Sequence, residues 1–302
     1  MVIDAGAGPE LVIAGAARSG TSFLAAQLGA HPNIDPGSVK EPNFFSRAED
    51  RGVEWYDALF SPRERGLIRM DASVSYTYPQ YPQALSRLAA TAPDATVVYV
   101  VRDPVPRAVS HYLYYRYYFK RETAIDFGEA LQRNDLYAGA SDYHRWLVDL
   151  RATFPRERVL IVPFRAVTAP GAEVAGRVCA ALGLPPSPEP DSDAAAHQNQ
   201  VVTFRHPALR LASRKLRRSR LYPLVRERLG ASRLRRVRSL VTKDTSLPTT
   251  AEALSSCTPD QVEQLRELER RGHAAVSEAL REQDLRLGLS WAEHWSAPNS
   301  LP

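Results

Sequence analysis

A chain of 302 residues with 44% hydrophobic content can bury one substantial core and a smaller appendage, and is expected to be a soluble globular protein. Lysine and arginine number 39 against 34 acids, for a net charge of +5, and the excess lies mostly beyond residue 204. Cys179 and Cys257 stand far apart without metal-ligand spacing, which argues against a structural zinc and a disulfide framework, and no apolar run approaches the roughly 20 residues that span a bilayer. The opening residues lack a basic n-region, so a cytoplasmic location is expected, or a peripheral one at the inner face of a membrane.

Leu11–Ile13 is a short apolar run of buried-strand type. The small residues Ala14–Ala17 follow it, and from Gly20 an apolar pattern at Phe23, Leu24 and Leu28 has helical spacing. Strand, tight turn and helix start place free backbone N–H groups at the positive end of a helix dipole, a binding point for phosphate or sulfate. Gly15 and Gly20 bracket four residues as in a Walker A loop, but Thr21 stands where the lysine belongs and the positive charge sits at Arg18.

Next comes HPNIDPGSVKEPNFFS, which reads as a loop with a buried aromatic end at Phe44 and Phe45, and then a core-packing helical stretch at Trp55, Tyr56, Leu59 and Phe60. Residues 66–73 read as a second strand, Tyr81–Ala92 as a helix, and residues 95–101, ATVVYVV, as the clearest buried strand. A helix from Pro104 carries a tyrosine-rich run to Tyr118. One or two helices follow over 127–146, then a strand over 158–164 and a helix ending at Gly183. This alternation predicts an α/β fold, a P-loop-like central parallel sheet flanked by helices.

The Pro-rich segment 185–193 marks the near-completion of the sheet-bearing part, and the expected organisation is a core over 1–195 and a basic helical region over 196–302 packed on it. Arg205–Lys243 holds fourteen basic residues interleaved with leucines and broken at Pro223 and Gly230. It reads as basic amphipathic helices: a solvated face first, an anionic-substrate or membrane-surface patch second, nucleic acid last. A further amphipathic helix starts at Thr258. No obligate protein partner is indicated.

The strongest strand runs into VRDPVPRAVSHY. Ligands of open parallel sheets bind beyond the carboxyl ends of the strands, so Arg102 is expected to emerge beside the loop at Arg18, with Ser110 about two helical turns further on. At this point the chain resembles the sulfotransferases that use 3′-phosphoadenosine 5′-phosphosulfate (PAPS), particularly bacterial relatives of the heparan-sulfate enzymes. The resemblance rests on GAARSGTS, on the K-E-P-x-F-F segment at Lys40–Phe45, and on R-D-P-x-x-R-x-x-S, complete as Arg102, Asp103, Pro104, Arg107 and Ser110. It covers roughly residues 10 to 185.

The resemblance implies that PAPS is held by Ala17, Arg18, Ser19, Gly20, Thr21 and Ser22 at its 5′ side and by Arg102 and Ser110 at its 3′-phosphate, leaving 3′,5′-adenosine bisphosphate as product. It implies Glu41 as general base, with Arg18, Lys40, Thr21 and the loop amides stabilising the sulfonate and leaving phosphate; a sulfuryl group carries less negative charge than a phosphoryl and requires no metal, and the expected acceptor is a hydroxyl or amine of a carbohydrate or glycosylated natural product. His111 competes for the role of base. An ATP-dependent kinase and a non-catalytic membrane- or nucleic-acid-binding module are the alternatives. Ala72 and Val74 depart from the family, which has a lysine and a proline there, and Arg165 replaces a usual acid.

Overall fold

The two strongest apolar runs become neighbouring strands at the middle of a sheet. The computed structural model describes residues 8–169, 173–185 and 247–295, with the backbone alone of 203–204 and 242–243. In chain order the first half comprises β1 (Leu11–Gly15), α1 (Thr21–Leu28), β2 (Ile34–Asp35), α2 (Val53–Asp57), β3 (Ile68–Asp71), α3 (Ala84–Thr91), β4 (Thr96–Val101) and α4 (Pro104–Leu113). Then follow α5 (Phe127–Arg133), α6 (Leu136–Gly139), α7 (Tyr143–Thr153), β5 (Val159–Pro163), α8 (Phe164–Thr168), α9 (Val174–Ala181), β6 (Thr203–Phe204), β7 (Thr242–Lys243), α10 (Thr250–Leu254) and α11 (Pro259–Leu287).

Strands β1 to β5 form one parallel sheet in the order β2-β3-β1-β4-β5. Every residue of β1, β4 and β5 is buried, as their continuous hydrophobicity requires of strands covered on both faces. Strand β1 pairs with β3 through Leu11 and Met70 and with β4 through Val12 and Val97. The chain leaves β1 toward β2 and leaves β4 toward β5, so the switch in direction falls between β1 and β4, where an open sheet forms its binding crevice.

Several expected elements differ in extent. The strand read over 66–73 pairs only at Ile68–Asp71, the helix read over 81–92 spans Ala84–Thr91, and 127–146 is cut into α5, α6 and the start of α7. Asp126 and Asp142 cap α5 and α7 by accepting from the amides of Glu129 and Arg145. The helix expected from Thr258 forms with a full capping box, Thr258 and Gln261 exchanging side-chain and backbone hydrogen bonds. Its buried positions, Leu265, Glu269, Gly272, Val276, Ala279, Leu280 and Gln283, recur at three- and four-residue intervals and pack on α7 and β5. Gln283 closes the outer edge of the sheet by accepting from the Ile161 amide at 2.7 Å and donating to its carbonyl at 2.9 Å.

The chain divides into two units, one of Met1–Tyr112, Ala124–Asn199 and Thr250–Pro302, the other of Leu113–Thr123 and Gln200–Thr249. In the second, Tyr114 and Tyr118 stack at 4.8 Å within a π-helical turn over Tyr114–Phe119, and β6 pairs antiparallel with β7. Apart from β7 at its end, the basic segment 205–243 lies outside the described residues, as does the boundary expected at 195. Among the described residues no helix is long and apolar enough to cross a membrane.

Candidate active site

All the residues below belong to the first unit. The loop after β1 turns through left-handed backbone at Arg18 (φ 69°) and Gly20 (φ 86°), and α1 starts at Thr21. The first amides of a helix have no partner within it and sit at its positive pole, so Thr21 and Ser22 present N–H groups at the end of β1. A β-carbon at Gly20 would lie 3.0 Å from the ring of Phe164, so the glycine serves both the backbone turn and the close approach of that ring.

Arg107, fully buried on α4, braces the loop from beneath. Its Nη1 donates to the Ala17 carbonyl at 3.1 Å, its Nε to Ser141 Oγ at 2.6 Å and its Nη2 to the Tyr137 carbonyl at 2.5 Å. Nη1 also lies 3.2 Å from His111 Nδ1. A guanidinium can only donate, so Nδ1 is the accepting nitrogen, and Nε2 carries the proton that faces Tyr78 Oη at 3.3 Å. Burial, with the charges of Arg107, Arg18 and Arg47, pushes the His111 pKa well down. The ring is a neutral brace inside the fold, and its accepting nitrogen is already engaged.

At the end of β4, Arg102 and the loop converge as expected. Arg102 Nη1 donates to the Arg18 carbonyl at 3.1 Å, its guanidinium lies 4.9 Å from the centre of the Phe164 ring, and its amide donates to Tyr143 Oη at 3.1 Å. Arg18 Nε donates to Ser110 Oγ at 3.3 Å. Asp103 pairs with Arg165 at 3.3 Å, so the arginine that replaces an expected acid neutralises the one carboxylate in this motif.

Lys40 and Glu41 come to the other side of α1. Lys40 Nζ donates to Ser22 Oγ at 2.8 Å, which ties the K-E-P segment to the first turn of the helix. Glu41 is half-buried, and its pKa is raised by burial and by the charge of Asp71, against the opposing pull of Lys40 and Arg47. The guanidinium of Arg47 lies over Tyr78 and Tyr81, 5.8 and 5.2 Å from the ring centres. Asn43 holds the turn: its side chain donates to the Glu41 carbonyl and accepts from Ser75 Oγ at 2.5 Å, and its amide donates to Ser73 Oγ at 2.9 Å.

The loop residues Ala17–Ser22 thus meet Lys40 at Ser22, and Arg102 and Ser110 at Arg18, while Glu41 follows Lys40 in the chain. Arg18 turns toward Ser110, and Lys40 toward Ser22. Sequence reading assigned no role to Phe164, to the buried contacts of Arg107 or to the hydrogen-bonding of Asn43. The spacing of Arg107 from Arg102 was the one signal present; the others depend on residues distant in sequence. Ala72, at the position of the missing lysine, packs against the core.

The sequence model of the Sulfotransferase family matches residues 9–188. The chain belongs to this family. Among its relatives, human heparan sulfate glucosamine 3-O-sulfotransferase 3B1 is 32% identical over 190 residues, which are 58% of this chain and 46% of the relative. Mouse heparan sulfate glucosamine 3-O-sulfotransferase 6 is 39% identical over 105 residues, 34% of this chain and 30% of the relative. The chain therefore spans less than half the length of these curated sulfotransferases. The crystal structure of a sulfotransferase from Alicyclobacillus acidocaldarius superposes with a TM-score of 0.50 at 26% identity, covering 68% of this chain and 89% of that one. The parallel five-stranded sheet flanked by helices is the fold of this family member.

Proposed function

We propose that this sulfotransferase takes PAPS as donor and a carbohydrate hydroxyl as acceptor, with Glu41 as general base. The observation that carries the reading is the meeting of Arg18 with Ser110 and Arg102 across the adjacent ends of β1 and β4, beside the helix start at Thr21. The donor set is amides, hydroxyls, guanidiniums and an ammonium, with Asp103 already paired to Arg165, and it suits a ligand bearing two separate anionic groups. A carbohydrate acceptor is supported by the relatives named as heparan sulfate glucosamine 3-O-sulfotransferases.

Bound there, PAPS supplies a sulfuryl group on a phosphate leaving group. Arg102 and Ser110, with Arg18 directed toward them, hold the 3′-phosphate. Lys40, Thr21, Ser22 and the first amides of α1 stabilise negative charge on the leaving side. Glu41 takes the proton of the acceptor hydroxyl, and the burial that raises its pKa makes it a stronger base than an exposed carboxylate.

The test is transfer from labelled PAPS to a panel of saccharides and glycosides, with calorimetric titration of 3′,5′-adenosine bisphosphate, ADP and ATP alongside. Glu41→Gln is expected to lower turnover by about 10²- to 10⁴-fold with bisphosphate affinity retained. Near-parental turnover in that variant removes Glu41 from the mechanism. Magnesium-dependent binding of ATP, with no binding of the bisphosphate, overturns the donor.

A further inference from the structure

Asp71 ends β3 completely buried and touches none of the loop residues discussed above, yet it accepts three hydroxyl protons. Tyr56 and Tyr76 donate to Oδ2 at 2.8 and 2.6 Å, and Ser73 donates to Oδ1 at 2.6 Å. A serine hydroxyl has a single proton, and here the carboxylate receives it. The remaining lone pairs of Ser73 Oγ meet the amide of Asn43 at 2.9 Å. The direction of this chain is therefore set by Asp71, and each hydrogen bond in it polarises the next.

The chain ends on a strained turn. Glu41 and Asn43 both have φ of 54°, in the left-handed region that is uncommon for a glutamate. Such backbone persists where surrounding groups over-determine it, and such positions gather at functional sites. Here Ser73 fixes the Asn43 amide, Ser75 fixes its side-chain oxygen, and the Asn43 side chain donates to the Glu41 carbonyl. Burial raises the Asp71 pKa, and the three donated hydrogen bonds oppose that rise by stabilising the carboxylate.

We propose that Asp71 is a positioning residue for sulfuryl transfer: through Ser73 and Asn43 it holds the turn that carries Lys40 and Glu41. The proposal rests on the reading of Glu41 as the base. The charge of Asp71 also acts on Glu41 directly. Burial and Asp71 push the Glu41 pKa up, and Lys40 and Arg47 pull it down, so loss of the Asp71 charge lowers it.

The experiment measures kcat and kcat/KM against pH, with labelled PAPS and the acceptor found by screening, for the full chain and for Asp71→Asn, Ser73→Ala and Glu41→Gln. Asp71→Asn is expected to lower kcat by about 10- to 100-fold, the scale of a misplaced catalytic group, and to move the acid limb of kcat/KM to lower pH. Ser73→Ala is expected to lower kcat while leaving the limb in place, because it breaks the bridge and keeps the charge. Titration with 3′,5′-adenosine bisphosphate and a thermal melt establish that each variant is folded. A folded Asp71→Asn with parental kcat and an unmoved limb overturns the proposal, as does a folded Ser73→Ala with parental kcat if Asp71→Asn fails to fold. Those results alongside an inactive Glu41→Gln remove Asp71 alone; an active Glu41→Gln removes the base itself and with it the proposal.

Discussion

Arg102 donates to the backbone carbonyl of Arg18 at 3.1 Å, and this contact joins two motifs that lie 84 positions apart. The Arg102 guanidinium is thereby fixed on the backbone of the loop and stacked on Phe164, while the Arg18 side chain binds Ser110. Burial pushes the Arg102 pKa down, but a guanidinium keeps its proton, so Arg102 is a fixed positive charge at the end of β4. A phosphate there gains charge-assisted hydrogen bonds of about 1.5–3 kcal/mol each. Arg102→Ala is accordingly expected to weaken 3′,5′-adenosine bisphosphate by about 10- to 100-fold and adenosine 5′-phosphate by far less. Calorimetry on the two nucleotides decides it, and equal losses for both would refute the contact.

The parts of this site that are local in sequence could be read without the structure. Strands β1 and β4 announce themselves because a strand buried on both faces is a continuous apolar run, and Arg18 and Arg102 leave their carboxyl ends. Strand β2 could not be read, because Ile34 and Asp35 are extended only through pairing with Ile68 and Arg69. The breaks that divide 127–146 fall at Asn134, whose side chain accepts from the Leu136 amide, and at Asp142, which caps α7, signals present in the sequence but weaker than the helical periodicity around them. The support of Arg102 by Phe164 and the hold of Asp71 on Ser73 and Asn43 join residues from separate elements. No spacing rule reaches them.

Gly20 bears on the same positive charge. Its φ of 86° suits glycine, and a β-carbon there would come within 3.0 and 3.2 Å of two Phe164 ring atoms. The ring would have to shift, and Arg102 stacks on that ring. Gly20→Ala is therefore expected to weaken bisphosphate binding by about tenfold or more and to cost about 1–2 kcal/mol of stability from the left-handed backbone. Titration calorimetry and a denaturant melt check the two effects separately. Parental affinity in the variant would show that the ring does not transmit the change.

His111 ties stability to pH. Its folded pKa lies well below the ordinary 6.5, because burial and the charges of Arg107, Arg18 and Arg47 oppose protonation. As pH falls the unfolded chain takes up the proton first, so this contribution is complete above about pH 6.5 and is lost below it, toward the lower folded pKa. In His111→Gln the amide can accept from Arg107 and donate to Tyr78 without titrating. Between about pH 7.5 and 5.5 its melting temperature is expected to fall less than the parent's. Its sulfuryl transfer should stay within about tenfold of the parent, short of the loss that follows removal of a general base. A loss as large as that of Glu41→Gln would return His111 to the chemistry.

Gln283 tests the fold apart from the site. Strand β5 is one of the two outer strands of the sheet, and an uncovered edge leaves backbone groups without partners and open to pairing with another chain. The Gln283 amide occupies that edge, accepting from the Ile161 amide and donating to the Ile161 carbonyl, as a neighbouring strand would. Gln283→Met keeps much of the side-chain length and removes both bonds, leaving two buried backbone groups unpaired at about 1–3 kcal/mol each. At about 2–4 °C per kcal/mol, the melting temperature should drop by at least about 4 °C. Bisphosphate affinity should not change, because the loss lies on the far side of β4 from the loop. A melt within a degree of the parent would mean that water serves the edge as well as the amide does.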